Sequence, residues 1–150
     1  MNSQELKDRT KRFALKVIQS VETLPKHQAG NVIGRQLLRS ATSVGANYRA
    51  ACRARSRADF ISKMGIVEEE ADETIYWLEL LVESGLINKE AIEDLIKEAN
   101  ELTAIFTAAC KSAKAKKPRL IRNPQSEIIN LSLCPKGRFP LTNIRLAGIY

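Results

Sequence analysis

Histidine occurs once in the 150 residues, tryptophan once, and aromatic residues make up only 5% of the chain. That scarcity removes several chemistries before any motif is sought. With His27 alone in a loop after Pro25, a Ser or Cys nucleophile has no general base to activate it. The Glu-x-x-His pairs that hold a di-iron centre inside a helical bundle are also missing. Cys52, Cys110 and Cys134 are odd in number, widely spaced and outside any C-x-x-C pattern. Neither a disulfide framework nor a zinc site is expected, and a reducing compartment is. Gly30-Asn31-Val32-Ile33-Gly34 does not sit at a strand–helix junction, so it is not a phosphate-cradling loop. No apolar run approaches the ~20 residues needed to span a bilayer. The opening MNSQELKDRTKR lacks the apolar stretch of a secretory signal. The expectation is a cytoplasmic protein that is not an enzyme, carries no cofactor and binds no membrane.

What the chain does have is helix-forming composition and segregated charge. Hydrophobic residues reach 44%, and Ala, Leu, Glu, Lys and Arg dominate, which favours a single helical domain with a real core. The net charge of +7 divides unevenly: +8 over residues 1–60, −9 over 61–110 and +8 over 111–150. Separation on this scale suits a polyanion partner, pairing between basic and acidic faces, or both.

Periodicity predicts four helices. The first spans about Ser3–Glu22 with Leu6, Phe13, Val17, Val21 and Leu24 inward, and ends before Pro25. The second spans about Gln28–Arg55. Ser56 caps the third, Arg57–Ser84, whose stripe is Phe60, Met64, Val67, Ala71, Ile75, Leu78 and Val82, and Gly85 stops it. Asn88 caps the fourth, with Ala91, Ile92, Leu95, Ile96, Ala99, Leu102, Phe106 and Ala109 inward. Short connections make neighbours antiparallel. The predicted fold is all-α: an antiparallel up-down four-helix bundle over residues 1–117. Prolines and glycines then interrupt every candidate element, so residues 118–150 are expected to form a basic, largely disordered tail. Within it, Ile121–Ile128 has the look of translated repeat DNA and receives no role.

The second helix is the most informative. On a wheel of roughly 100° per residue, Ile33, Leu37, Ala41, Val44, Tyr48 and Ala51 form an apolar stripe, while Arg35, Arg39, Arg49, Arg53 and Arg57 occupy an opposite arc of about 80°. Guanidinium groups pair bidentately with phosphates and carboxylates, which ammonium groups cannot. Facing nucleic acid, such a row neutralises phosphates with little sequence preference. No aromatic residues interleave it, which favours structured RNA over single strands. Arg12, Lys16 and the Lys114–Lys117 cluster are secondary candidates. The alternative is a protein-interaction scaffold, in which the row meets acidic residues such as Glu69, Asp72, Glu79 and Glu83 of a sister subunit, or a partner enzyme. A solvated helix face is the unremarkable option. The run Glu68, Glu69, Glu70, Asp72 and Glu73 has the chemistry for a hard cation, but its members point several ways around the helix, so no metal is expected.

Ser40 and Asn47 lie at the edge of the second helix's stripe, where a polar residue sets register or marks a subunit seam. Gly34 and Gly45 are costly inside a helix unless another backbone comes close. Tyr76 and Trp77 sit off the main stripe of the third helix and imply a second buried face. Asn47, Tyr76 and Trp77 are therefore the candidate oligomer interface.

Gln36–Asn47, then Arg55-Ser56-Arg57-Ala58-Asp59-Phe60, then Glu69-Glu70-Ala71-Asp72-Glu73 with Tyr76-Trp77-Leu78, resemble the bacterial four helix bundle protein family. That family includes proteins encoded by intervening sequences of large-subunit ribosomal RNA genes and accessory proteins of diversity-generating retroelements. The resemblance covers about residues 5–115. It implies a ring-like homopentamer of small bundles without catalytic activity. In the retroelement branch it implies a basic surface that meets nucleic acid and a partner reverse transcriptase.

Overall fold

A computed structural model describes residues 1–115, and its helices are α1 (Ser3–Glu22), α2 (Gln28–Ala51), α3 (Arg57–Glu83) and α4 (Lys89–Ala115). Among the described residues there is no strand, and no helix is long and apolar enough to cross a membrane. The fold class is the expected one, all-α with four antiparallel helices. The boundary placed at residue 117 and the tail beyond it lie outside the described residues.

Local chemistry explains where each helix starts and stops. Asn2 caps α1 through a capping box: its side chain accepts the Glu5 N–H at 2.8 Å, and the Glu5 carboxylate accepts the Asn2 N–H at 2.8 Å. His27 caps α2, its Nδ1 accepting the Gly30 N–H at 3.3 Å. Ser56 caps α3, its Oγ accepting the Asp59 N–H at 3.1 Å. At the other end of α3, Gly85 takes φ +71°, the left-handed conformation that glycine adopts at no steric cost. The Gly85 and Leu86 N–H groups return to the carbonyls of Val82 and Leu81, which is the Schellman stop.

The helices contact one another in the cycle α1–α2–α3–α4–α1, with no diagonal backbone contact. This is the up-down arrangement short loops impose. Side chains cross the middle instead: Tyr48 of α2 and Phe106 of α4 meet with ring centroids 5.6 Å apart. Around them Leu37, Val44, Met64, Val67, Leu78, Leu81, Ile92 and Leu102 are buried almost completely. Three hydroxyls share that core, Thr10, Ser40 and Thr74, each donating to a carbonyl of its own helix. The bond satisfies them without a cross-helix partner. Ser40 is thus a core residue.

Three expectations need correction. First, α2 ends at Ala51, four residues before Arg55: the Arg53 and Ala54 N–H groups turn back to the carbonyls of Ala50 and Ala51, and Ala54 is buried at 6% exposure. Arg53 therefore lies in the turn and Arg57 opens α3, so neither belongs to the helix that carries Arg35, Arg39 and Arg49. Second, Ala91, in the first turn of α4, is exposed, and burial begins at Ile92. Third, the glycines differ. A Cβ on Gly30 would stand 2.4 Å from the Pro25 carbonyl oxygen, and one on Gly34 3.1 Å from Val21. Gly45 only faces Thr10 at ordinary contact distance, and Gly65 faces open space.

The α1–α4 seam is the thinnest of the four. Arg9 of α1 clasps it, giving Nε to Glu98 at 2.7 Å and Nη2 to Glu101 at 2.5 Å. The hydrogen-bonded guanidinium holds the Glu98 carboxyl below the ordinary glutamate value, against the opposing effect of burial.

Candidate nucleic-acid interface

Folding converts charge segregated along the chain into charge segregated along the bundle axis. The α1 N-terminus, the α2–α3 turn and the α4 C-terminus share one end. If every helix is cut at its midpoint, the half nearer that end (residues 1–12, 40–69 and 103–115) carries eleven Lys and Arg against five Asp and Glu. The other half carries six against eleven. One pole of the bundle is basic and the other acidic, a field that steers polyanions toward a single end.

The arginine row is broken up by its neighbours. Arg39 donates Nη1 to Glu70 at 3.2 Å, Nη2 to Glu73 and Nε to the Gln36 side chain at 3.2 Å. Glu73 also accepts the Trp77 indole N–H at 2.9 Å. Arg39 first and Trp77 second lower the Glu73 carboxyl below its usual range. Arg57 gives Nε and Nη2 to the Ala113 carbonyl at 2.8 and 2.6 Å and Nη2 to Lys114 O at 3.0 Å. It therefore closes the C-terminus of α4, where the helix dipole favours a cation. Arg35 donates Nε to the Asn31 carbonyl at 3.3 Å and lines a small cleft with Leu24 and Lys26 toward the acidic pole. Arg12 and Lys16 lie on α1 near Glu98, whose ionisation both favour, on the α4 side of that helix.

Arg49 and Arg53 remain. Among the described residues neither side chain makes a hydrogen bond or ion pair, and both are exposed. At the turn they are joined by two cations the sequence reading passed over, Arg55 and Lys63. Their signal was present in the Ser56 cap: a cap there folds residues on both sides of it onto one pole. The other member of the cluster, Asp59, takes Lys63 Nζ and the Arg55 backbone N–H.

The proposed interface residues sit as follows. Tyr76 is 53% exposed and packs edge-on against Trp77, with centroids 5.0 Å apart at 65°. Trp77 is half-buried against the core. Asn47 is half-buried and its side chain has no hydrogen-bond partner among the described residues. The acidic run is dispersed: Glu68 accepts the Thr107 hydroxyl at 2.6 Å, Glu70 and Glu73 hold Arg39, and Glu69 and Asp72 face solvent. Among the described residues no group of His, Cys, Asp and Glu is placed to share a metal ion.

The sequence model of the 23S rRNA-intervening sequence proteins matches residues 2–108, which is nearly the whole bundle. The chain belongs to that family. The match ends at residue 108, within α4. A crystal structure of a protein of unknown function from the S23 ribosomal protein family of Bacteroides thetaiotaomicron VPI-5482 is similar to this chain at 39% identity. It has a TM-score of 0.68 and covers 74% of this chain and 99% of that one. No curated protein matched.

Proposed function

We propose that this member of the family is a non-enzymatic, cytoplasmic RNA-binding bundle that acts as a homo-oligomeric accessory factor, with a reverse transcriptase as a candidate partner. The observation that carries it is the contrast among the arginines. Arg9 and Arg39 are matched to carboxylates and Arg57 to helix carbonyls, whereas the side chains of Arg49, Arg53 and Arg55, at one pole, have no partner among the described residues. Cations gathered at one end without a carboxylate partner among the described residues are suited to an external polyanion. A family named for sequences inserted in 23S ribosomal RNA makes structured RNA the first polyanion to test.

The test is the affinity of the full chain for a structured RNA across salt concentrations, beside Arg49→Glu with Arg53→Glu. Neutralising several phosphates makes log K fall linearly with log salt, by about 0.7–0.9 per phosphate. A flat salt response, or a double variant that binds as well as wild type, defeats the proposal.

One observation favours the protein-scaffold alternative. The outer face of α3 exposes Ile66 and Tyr76 beside Glu69 and Asp72, an apolar surface with an acidic rim that suits a basic partner or a sister subunit. If that surface joins subunits, Tyr76→Glu dissociates the assembly in sedimentation while leaving RNA affinity per subunit intact. The pentamer implied by resemblance is read in the same experiment.

A further inference from the structure

The basic pole has shape as well as charge. After α2 the chain makes two tight turns, with Arg53 N–H bonded to the Ala50 carbonyl and Ala54 N–H to that of Ala51. Burial of Ala54 leaves its neighbours Arg53 and Arg55 no course but outward. Between this elbow and the first turns of α3 lies an open groove of about 450 Å³, lined by Ala50, Arg53, Arg55, Asp59 and Lys63.

Three cations and one carboxylate share the groove, and the carboxylate is already occupied. Asp59 uses Oδ1 for Lys63 Nζ and Oδ2 for the Arg55 N–H at 2.9 Å. It braces the wall instead of quenching the two arginines. Arg55 is near enough to favour the ionised form of Asp59 but closes no ion pair with it. Arg53 has no side-chain partner at all among the described residues. Ala50 is small and leaves the floor accessible. No aromatic ring lines the groove, so it offers nothing on which a base stacks. Two guanidinium forks without a partner among the described residues, set around a concavity, match the oxygens of a phosphate group.

We infer that the elbow groove is a phosphate subsite that seats one phosphodiester of a structured RNA backbone between Arg53 and Arg55, with Lys63, held by Asp59, as a third donor. This rests on the RNA-binding proposal and adds a place and a geometry to it: the bundle meets RNA with its end, not with the length of α2.

The experiment uses the full chain and compares wild type with three double variants: Arg53→Ala with Arg55→Ala, Arg53→Lys with Arg55→Lys, and Lys89→Ala with Lys97→Ala near the acidic pole. Binding of an RNA hairpin is read by fluorescence anisotropy at several salt concentrations. Separately, inorganic pyrophosphate is titrated while the arginine Nε–H resonances are followed. Among the described residues neither Arg53 nor Arg55 makes a side-chain hydrogen bond or ion pair, so the variants keep the helical far-UV spectrum. The alanine pair is expected to lose about tenfold or more in affinity and to shallow the salt slope by about 0.8, the share of one phosphate. The lysine pair recovers the slope but only part of the affinity, because charge returns without the fork. The Lys89 and Lys97 pair stays within about twofold, since those residues lie far from the elbow.

If wild type binds RNA with a steep salt dependence but the alanine pair binds equally well, the groove is overturned and the RNA proposal stands. If wild type ignores RNA while pyrophosphate shifts only Arg53 and Arg55, the RNA proposal is overturned and the groove survives as a phosphate site. If neither ligand is felt, both fall.

Discussion

Arg39 and Glu73, on adjacent helices and 34 residues apart in sequence, are joined in an ion pair whose carboxylate also accepts the Trp77 indole. The pair fastens α2 to α3 on the outside of the bundle. It also engages the Arg39 guanidinium, still 49% exposed, with two carboxylates of the neighbouring helix. Arg39→Ala should therefore lower the thermal midpoint while changing RNA affinity less than Arg53→Ala does. Melting curves and binding measured on the same two variants check this. A larger binding loss at Arg39 would return it to the interface.

The clasp at the thin seam should be visible in the pH dependence of stability. Arg9 and Glu98 keep 22% and 26% of their side-chain surface exposed, between a surface pair and a buried one. Arg9→Ala should cost about 1–2 kcal/mol at neutral pH. The folded-state pKa of Glu98 lies below the ordinary 4.5, so its contribution is fully present above that value. It is lost as pH falls through the depressed one. The gap between wild type and variant in urea denaturation should close in acid below about 4.5, and a gap that persists there would place the cost in packing instead.

Two glycine substitutions should move stability in opposite directions. A methyl group at Gly30 meets the Pro25 carbonyl oxygen at 2.4 Å, backbone that cannot yield cheaply, so Gly30→Ala should destabilise by about 1–3 kcal/mol. A methyl group at Gly65 meets nothing within 4 Å. Gly65→Ala should stabilise by about 0.5–1 kcal/mol through helix propensity and a less flexible unfolded chain. Chemical denaturation of both variants distinguishes steric from conformational effects.

Native alkylation should separate two cysteines. Cys110 is buried at 2% exposure, and burial first, then Glu68, raises its thiol pKa. Cys52 is half-exposed at the end of α2. Iodoacetamide followed by peptide mass spectrometry should show Cys52 modified well before Cys110, because only accessible thiolate reacts quickly. Equal rates would mean that the C-terminal part of α4 opens readily.

Truncating the ring that spans the core should be severe. Phe106 is fully buried and touches Tyr48 across the bundle, so Phe106→Ala should cost about 3–5 kcal/mol. Loss of the Tyr48 near-ultraviolet signal at temperatures where helix content persists would mark the same cavity.

Much of the bundle was legible without coordinates because its punctuation is local. Pro25, the Ser56 cap and the Gly85 stop act over a few residues, and α1 and α3 begin and end where that chemistry puts them, to within a residue. The end of α2 was misplaced because nothing local forbids a helix through Ala54. The chain instead turns after Ala51, and Ala54 is buried in that turn. Arg55 and Lys63 carry no periodic signal because they share no helix face with the arginine row; the groove joins residues across a turn.

From sequence alone came four amphipathic helices, their inward sides and the family. A period of 3.6 and short-range capping are properties of a chain segment by itself. Only the tertiary structure decided which arginines are free. A guanidinium is spent or available according to the carboxylate or carbonyl that packing brings within about 3 Å, and for Arg39 and Arg57 those partners are supplied by another helix, 31 to 57 residues along the chain.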